Sequence, residues 1–253
     1  PRRASDLENR AFVAKTAYDE QVGFVDQLLK VLLSQNVGEF LLALGENQIL
    51  PQNIMYADIY GNTYYIRGGR VPVRPDGFRW DRPVPGWTSK SEWQGIHPLS
   101  DLVQMLNPGV GYMQNCNISP GAMIPNSPLR SEHYASYIYN TRPTRTNARG
   151  RRALQLLDAH KRLTLDDAFK IAVDTYVMDT NHWQQALNEA FKSHTAPFAH
   201  LQEAVEILST WNGYMDIDSP GATLFRYWMR ACRTKNANVP TERIRRGNSL
   251  GGL

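Results

Sequence analysis

Between residues 68 and 130 the chain is broken so often by proline, glycine and tryptophan that no long regular element can run through it. Val71-Pro72-Val73-Arg74-Pro75, Arg82-Pro83-Val84-Pro85-Gly86-Trp87 and Asn107-Pro108-Gly109-Val110-Gly111-Tyr112 each join a missing backbone donor to a turn former. Backbone of this kind stays ordered only where buried rings pin it, and sites are commonly built on such segments. Regular structure must therefore flank it. Within residues 7–45, Phe24, Leu28, Val31, Leu32, Phe40, Leu41 and Leu44 recur at three- and four-residue spacing, which predicts helix with Gly45 as its stop. From about residue 51 the period becomes two. Ile54-Met55-Tyr56-Ala57-Asp58 and Thr63-Tyr64-Tyr65-Ile66-Arg67 around Tyr60-Gly61-Asn62 predict a hairpin.

On the other flank, residues 151–232 return to helical spacing. Thr164-Leu165-Asp166-Asp167 has the form of a capping box, opening a helix expected to run through Ala168, Ile171, Ala172 and Tyr176. Leu201, Ala204, Val205, Leu208 and Trp211 mark another helix, and Ser219-Pro220 supplies an N-cap with proline at the first helical position for a third, Gly221 to Cys232. The order of helix, β-rich and irregular centre (51–130), then helix predicts an α+β fold without βαβ alternation. No internal repeat appears. The body spans 1–235, and 236–253 read as a basic tail that frays.

Composition sets outer limits. With 42% apolar and 21% charged residues the chain can bury a core. No run approaches the roughly 18 apolar residues of a membrane span, and no apolar stretch follows Pro1-Arg2-Arg3 to suggest a signal peptide. The net charge of +4 is unevenly spread: residues 141–152 hold five arginines, and residues 226–246 a net +6, which leaves the remainder at −7. Neither basic stretch is interleaved with aromatics, so a solvated arm and a structural arginine cluster are favoured over a nucleic-acid surface. A non-catalytic binding or assembly module with a basic arm is the alternative reading. Cys116 and Cys232 have no zinc or redox spacing, and the six histidines form no metal motif. Nucleophile elbow, P-loop, dinucleotide and zinc-protease motifs are all missing. Asp174, Asp179, Asp216 and Asp218 read as solvated carboxylates.

Gly111-Tyr112-Met113-Gln114-Asn115-Cys116-Asn117-Ile118-Ser119-Pro120 concentrates short amides at the exit of what reads as an extended segment. Asn115 and Asn117 suit a turn before Pro120. An asparagine amide on fixed backbone also suits an oxyanion donor, since its N–H groups can face charge that develops only in the transition state. Alternation would turn Cys116 to the opposite face, as a small buried thiol.

An ordered series of motifs runs Ile54-Met55-Tyr56-Ala57-Asp58, Gly61-Asn62, Tyr65, Gly69-Arg70-Val71-Pro72, Pro83-Val84-Pro85-Gly86, Trp93, Gly95, Pro98, Asn107-Pro108, Gly111-Tyr112 and Asn115-Cys116-Asn117. It continues in Arg162-Leu163-Thr164, Trp211, Gly213, Ser219-Pro220-Gly221-Ala222 and Trp228. This series, over roughly residues 12–232, resembles the β-chain of the penicillin acylase family. That family belongs to the N-terminal nucleophile hydrolases and includes cephalosporin and acyl-homoserine lactone acylases. The resemblance implies part of a four-layer αββα fold. It also implies hydrolysis of the amide of an N-acylated small molecule through an acyl-enzyme, with an N-terminal serine, or less often threonine or cysteine, as nucleophile and its α-amine as base.

By the same resemblance Asn117 falls on the oxyanion asparagine and Arg149 on its companion arginine, with Arg151 and Arg152 as rivals. Tyr56, Trp87 and Trp93 are candidate substrate-side aromatics, with packing the favoured role for each. With Pro1 in first place and 116 residues before Asn117, the chain reads as an internal β-chain part, inert alone, whose partners are the α-chain and the nucleophile-bearing segment of the same acylase. No cofactor is expected, calcium is possible as in some relatives, and a periplasmic or extracellular location is implied.

Overall fold

A computed structural model of the chain describes residues 11–193 and 199–235. The expected tail at 236–253, the first residues of the expected helix at 7–10, and His194 lie outside them. The chain divides into two compact units, one of Pro1–Asn115 with Ser119–Arg145, the other of Cys116–Ile118 with Thr146–Leu253.

In the first unit the N-terminal helical region is two helices, α1 (Phe24–Leu33) and α2 (Val37–Leu44), while residues 11–22 are irregular. The expectation of helix from residue 7 is thus corrected. The break has a chemical cause. Asn36 caps α2 by accepting from the Glu39 N–H at 3.0 Å, and the Glu39 carboxylate accepts from the Gln35 N–H at 2.8 Å. Ser34-Gln35-Asn36 thereby satisfies polar groups in a non-helical conformation. Gln27, fully buried, ties α1 to the end of α2: its amide N–H2 donates to the Ala43 and Leu44 carbonyls at 2.6 and 2.9 Å, and its oxygen accepts from the Gln48 and Ile49 N–H groups. Four backbone groups are paired by one side chain, which is what permits an amide in a core.

The hairpin forms as β1 (Gln52–Ala57) and β2 (Thr63–Gly68), paired antiparallel with Met55 opposite Tyr65. Asp58 organises the turn by accepting from the Tyr60 and Asn62 N–H groups, and Gly61 takes φ +86°, a conformation that favours glycine. A third strand, β3 (Gln104–Leu106), pairs with the other edge of β2, so the sheet order is β1-β2-β3. It lies within the β-rich centre expected at 51–130, at a position the sequence did not single out. The central strand is covered on both faces, with Tyr64, Tyr65 and Ile66 all buried together with Leu102, Val103 and Met105.

The rest of the irregular segment is pinned by polar contacts to buried rings, most clearly at Tyr139 in the short helix α3 (Ser136–Tyr139). Its hydroxyl bonds the Ser119 Oγ at 2.7 Å, accepts from the Gly121 N–H at 3.0 Å and reaches the Leu129 carbonyl at 3.1 Å.

The second unit is helical: α4 (Ala148–Asp158), α5 (Leu165–Ala172), α6 (Thr180–Ser193), α7 (Gln202–Thr210) and α8 (Pro220–Lys235). The Thr164–Asp167 capping box opens α5. That helix stops at Ala172 rather than running to Tyr176, which instead bridges Tyr214. Helix α6 falls within the helical region expected at 151–232, although its own bounds were not read from the sequence. Pro220 opens α8, and the Ser219 Oγ accepts from the Ala222 N–H at 3.2 Å. Trp183, Trp211, Phe225 and Trp228 pack edge to face or tilted, with centroids 5.0 to 6.1 Å apart. Among the described residues no helix is long and apolar enough to cross a membrane.

Candidate active site

The amide cluster at 115–117 is carried on a bend, not an extended segment. Asn117 has φ +60°, the left-handed region that asparagine tolerates better than most residues. Alternation therefore does not set the direction of Cys116, which is half-buried rather than fully buried.

The partner of this bend is the start of α4, three residues earlier than the helical region expected from 151. Asn147 is its N-cap. Its Oδ1 accepts from the Gly150 N–H at 2.9 Å, while its Nδ2 donates to the Cys116 carbonyl at 2.8 Å. One side chain thus satisfies an orphan helix donor and fixes the backbone immediately before Asn117. Gly150 completes the junction. A Cβ there would lie 2.9 and 3.0 Å from the Ile118 side chain, so glycine is what lets buried Ile118 rest against the first turn.

Arg149 follows the cap. Its guanidinium donates to the Asn117 Oδ1 at 2.9 Å and to the Cys116 carbonyl at 3.3 Å. Of the two ends of the Asn117 amide only the oxygen can accept from a guanidinium, so this contact fixes the orientation of the amide and assigns its nitrogen end as donor. Electron density drawn toward the cation through the amide also makes those N–H groups stronger donors.

The other two arginines are engaged elsewhere. Arg151 bonds Asp179 at 2.6 and 3.4 Å. Arg152 forks onto Asp174 with two bonds of 2.8 Å and lies over the Tyr176 ring at 4.5 Å. Asp174 and Asp179 are therefore not solvated carboxylates. The Arg152 bond holds Asp174 below the usual carboxylate range against the opposing effect of burial. Three arginines among the first five residues of the helix oppose its dipole. Carboxylates offset two of them, whereas Arg149 meets neutral acceptors and keeps its charge for the Asn117 amide.

The aromatic residues separate. Trp87 and Trp93 line one cavity of about 900 Å3 with Trp80, Pro83, Phe12 and Val13. Trp87 is 88% exposed there, and the Lys15 ammonium lies 5.0 Å from the Trp93 ring centre. Tyr56 does not join them. It stacks on Phe40 at 4.4 Å and donates to Asp58 at 3.1 Å, so it belongs to the packing of the hairpin on α2.

Sequence reasoning passed over Asn147 and Gly150. An Asn immediately before a helical run is a legible cap signal, but its second bond, to Cys116, joins residues 31 positions apart. Calcium requires about six to eight oxygen ligands, and among the described residues no three His, Cys, Asp or Glu side chains gather as a metal site. A calcium ion would have to draw on other oxygens.

A sequence model of the family described as penicillin amidase matches residues 4–245. The chain is 30% identical over 204 residues to penicillin G acylase of Escherichia coli, a match covering 76% of this chain and 23% of that protein. It is 25% identical over 183 residues to the penicillin acylase 2 proenzyme of Pseudomonas sp. (strain SE83), covering 72% of this chain and 22% of the relative. The chain thus spans under a quarter of the length of these curated relatives. Its fold is similar to that of a thermostable penicillin G acylase from Alcaligenes faecalis, with a TM-score of 0.57 at 21% identity over 90% of this chain and 41% of the other.

Proposed function

Because this chain belongs to the penicillin amidase family, we propose that it is a β-chain segment of an amidohydrolase that cleaves the amide of N-acylated small molecules, penicillin, cephalosporin or acyl-homoserine lactone in type. In this reading Asn117 donates to the tetrahedral oxyanion and Arg149 orients and polarises it. The single observation that carries it is the 2.9 Å bond from Arg149 to the Asn117 Oδ1, which commits the amide nitrogen to donation. Negative charge on the former carbonyl oxygen exists only in the transition state and intermediate, so a donor fixed in advance lowers the barrier more than it tightens substrate binding.

The nucleophile is proposed to lie outside these 253 residues, on the N-terminal residue of a processed chain, as the class of hydrolase implies. The four-layer αββα fold would be completed by that segment and the α-chain, which are the partners proposed. Trp87 and Trp93, on one cavity wall, are proposed to face the acyl or amine portion of the substrate. Export to the periplasm or beyond is the corresponding location.

Replacing Asn117 tests the assignment. In correctly processed, assembled enzyme, Asn117→Ala lowers kcat by about 10²- to 10³-fold, the scale of losing one oxyanion donor. Asn117→Asp retains the Arg149 bond and tolerance of a positive φ but has no donor, and loses turnover to a similar degree. Unchanged kcat in either variant overturns the role of Asn117.

A further inference from the structure

The first unit contains another cavity, of about 600 Å3, which shares the Trp80 wall with the larger one but none of the residues given a role in the function proposed above; Arg74, Trp80, Tyr137, Arg79, Asp81 and Asn140 line it. The Arg74 guanidinium carbon lies 5.3 Å from the Trp80 ring centre and 5.0 Å from that of Tyr137. Its Nε is buried without a hydrogen-bond partner. Among the described residues no carboxylate lies within ion-pair distance of it. The acidic residue on the wall, Asp81, is held by Arg79 at 2.7 Å, so the charged side chains of the lining sum to one surplus positive charge.

The walls are fixed in advance. The Trp80 Nε1 donates to the Pro75 carbonyl at 3.0 Å, and Phe78 meets the Trp80 ring edge to face at 5.7 Å. The Tyr137 hydroxyl bonds the His97 Nε2 at 3.0 Å, His97 Nδ1 is held by Asp101 at 2.8 Å, and the Arg74 backbone N–H donates to the same hydroxyl at 3.3 Å. Ring faces offset part of the cost of removing a guanidinium from water. They cannot accept from its in-plane N–H groups, which form a planar fork matched to a carboxylate.

We propose that this cavity is a receptor for a monocarboxylate with an apolar or aromatic substituent, held by Arg74 as the fork and by Trp80 and Tyr137 as walls. The carboxylate comes either from a free organic acid or from an acidic side chain of acylase chain outside these residues.

Sodium benzoate and sodium propionate, titrated calorimetrically into the chain at constant ionic strength with chloride as control, test this. Benzoate is expected to bind and chloride not to compete. Arg74→Met is expected to weaken benzoate binding by about 10- to 100-fold, the range for hydrogen bonds to a charged group. Arg74→Lys, which keeps the charge and suits a variant that must fold, is expected to lose about 10-fold because the fork is gone. No benzoate binding, affinity unchanged in Arg74→Met, or equal affinity in Arg74→Lys overturns the proposal. Repeating the titration on assembled acylase separates the sources. Loss of the Arg74-dependent binding there identifies an acidic side chain as the occupant, and its retention identifies a free acid.

Discussion

Asn147 does two separable things, and replacing it separates them. Asn147→Ala removes the cap of α4, worth about 0.5–2 kcal/mol, and removes the bond to the Cys116 carbonyl, worth about 0.5–1.5 kcal/mol. That carbonyl retains the longer 3.3 Å contact from Arg149, so it is not left bare and no further desolvation cost applies. The expected loss is therefore about 1–3.5 kcal/mol. Asn147→Ser keeps a capping oxygen but is too short to reach Cys116, so it should lose only the second contribution. Urea denaturation of both variants, followed by tryptophan emission with the helical unit's Trp183, Trp211 and Trp228 as reporters, measures the two. A midpoint for Asn147→Ala equal to that of the unsubstituted chain, or equal losses in the two variants, refutes the division of labour.

The Arg152–Asp174 pair predicts an acid limb. Both side chains are largely buried, at 16% and 12% exposure, so Arg152→Met strands a carboxylate and should cost about 3 kcal/mol. The folded pKa of Asp174 is depressed, so its contribution is full above the ordinary carboxylate pKa and disappears as pH falls through the folded value. Arg152→Met should accordingly move acid unfolding, followed by circular dichroism, to higher pH. The sign reverses at high pH. Burial pushes the Tyr65 phenol up to about 12 and raises Tyr64 as well, so stability is full below pH 10 and is lost as pH rises toward the folded value. Absorbance of phenolate should rise together with unfolding between about pH 10 and 12. Tyr65→Phe, although it gives up the 2.7 Å bond to Asn53, should lose less stability than the unsubstituted chain over that interval.

Where one local interaction decides the outcome, the sequence sufficed. The hairpin was legible because side-chain alternation and Tyr60-Gly61-Asn62 act over a dozen residues, and the Thr164 capping box because both its bonds span three. Propensity could not separate α1 from α2, since apolar spacing continues across Ser34-Gln35-Asn36 and only the pairing of polar groups breaks the helix. Helix α6 lies inside the helical stretch expected at 151–232, but its bounds were not legible, since its buried face is completed by packing of Trp183 against Trp228, 45 positions away.

Taken by itself, the sequence determined the α+β order, the hairpin, the caps at Thr164 and Ser219, and the motif series that marks the family, because these are written in neighbouring residues. Tertiary structure alone decided which arginine meets Asn117, that Asp174 and Asp179 answer the other two, that Asn147 holds the Cys116 carbonyl, and that Arg74 lies between two rings with no acid paired to it among the described residues. Each of those depends on groups about 22 to 63 positions apart, whose approach is fixed by the burial of side chains that no local spacing records.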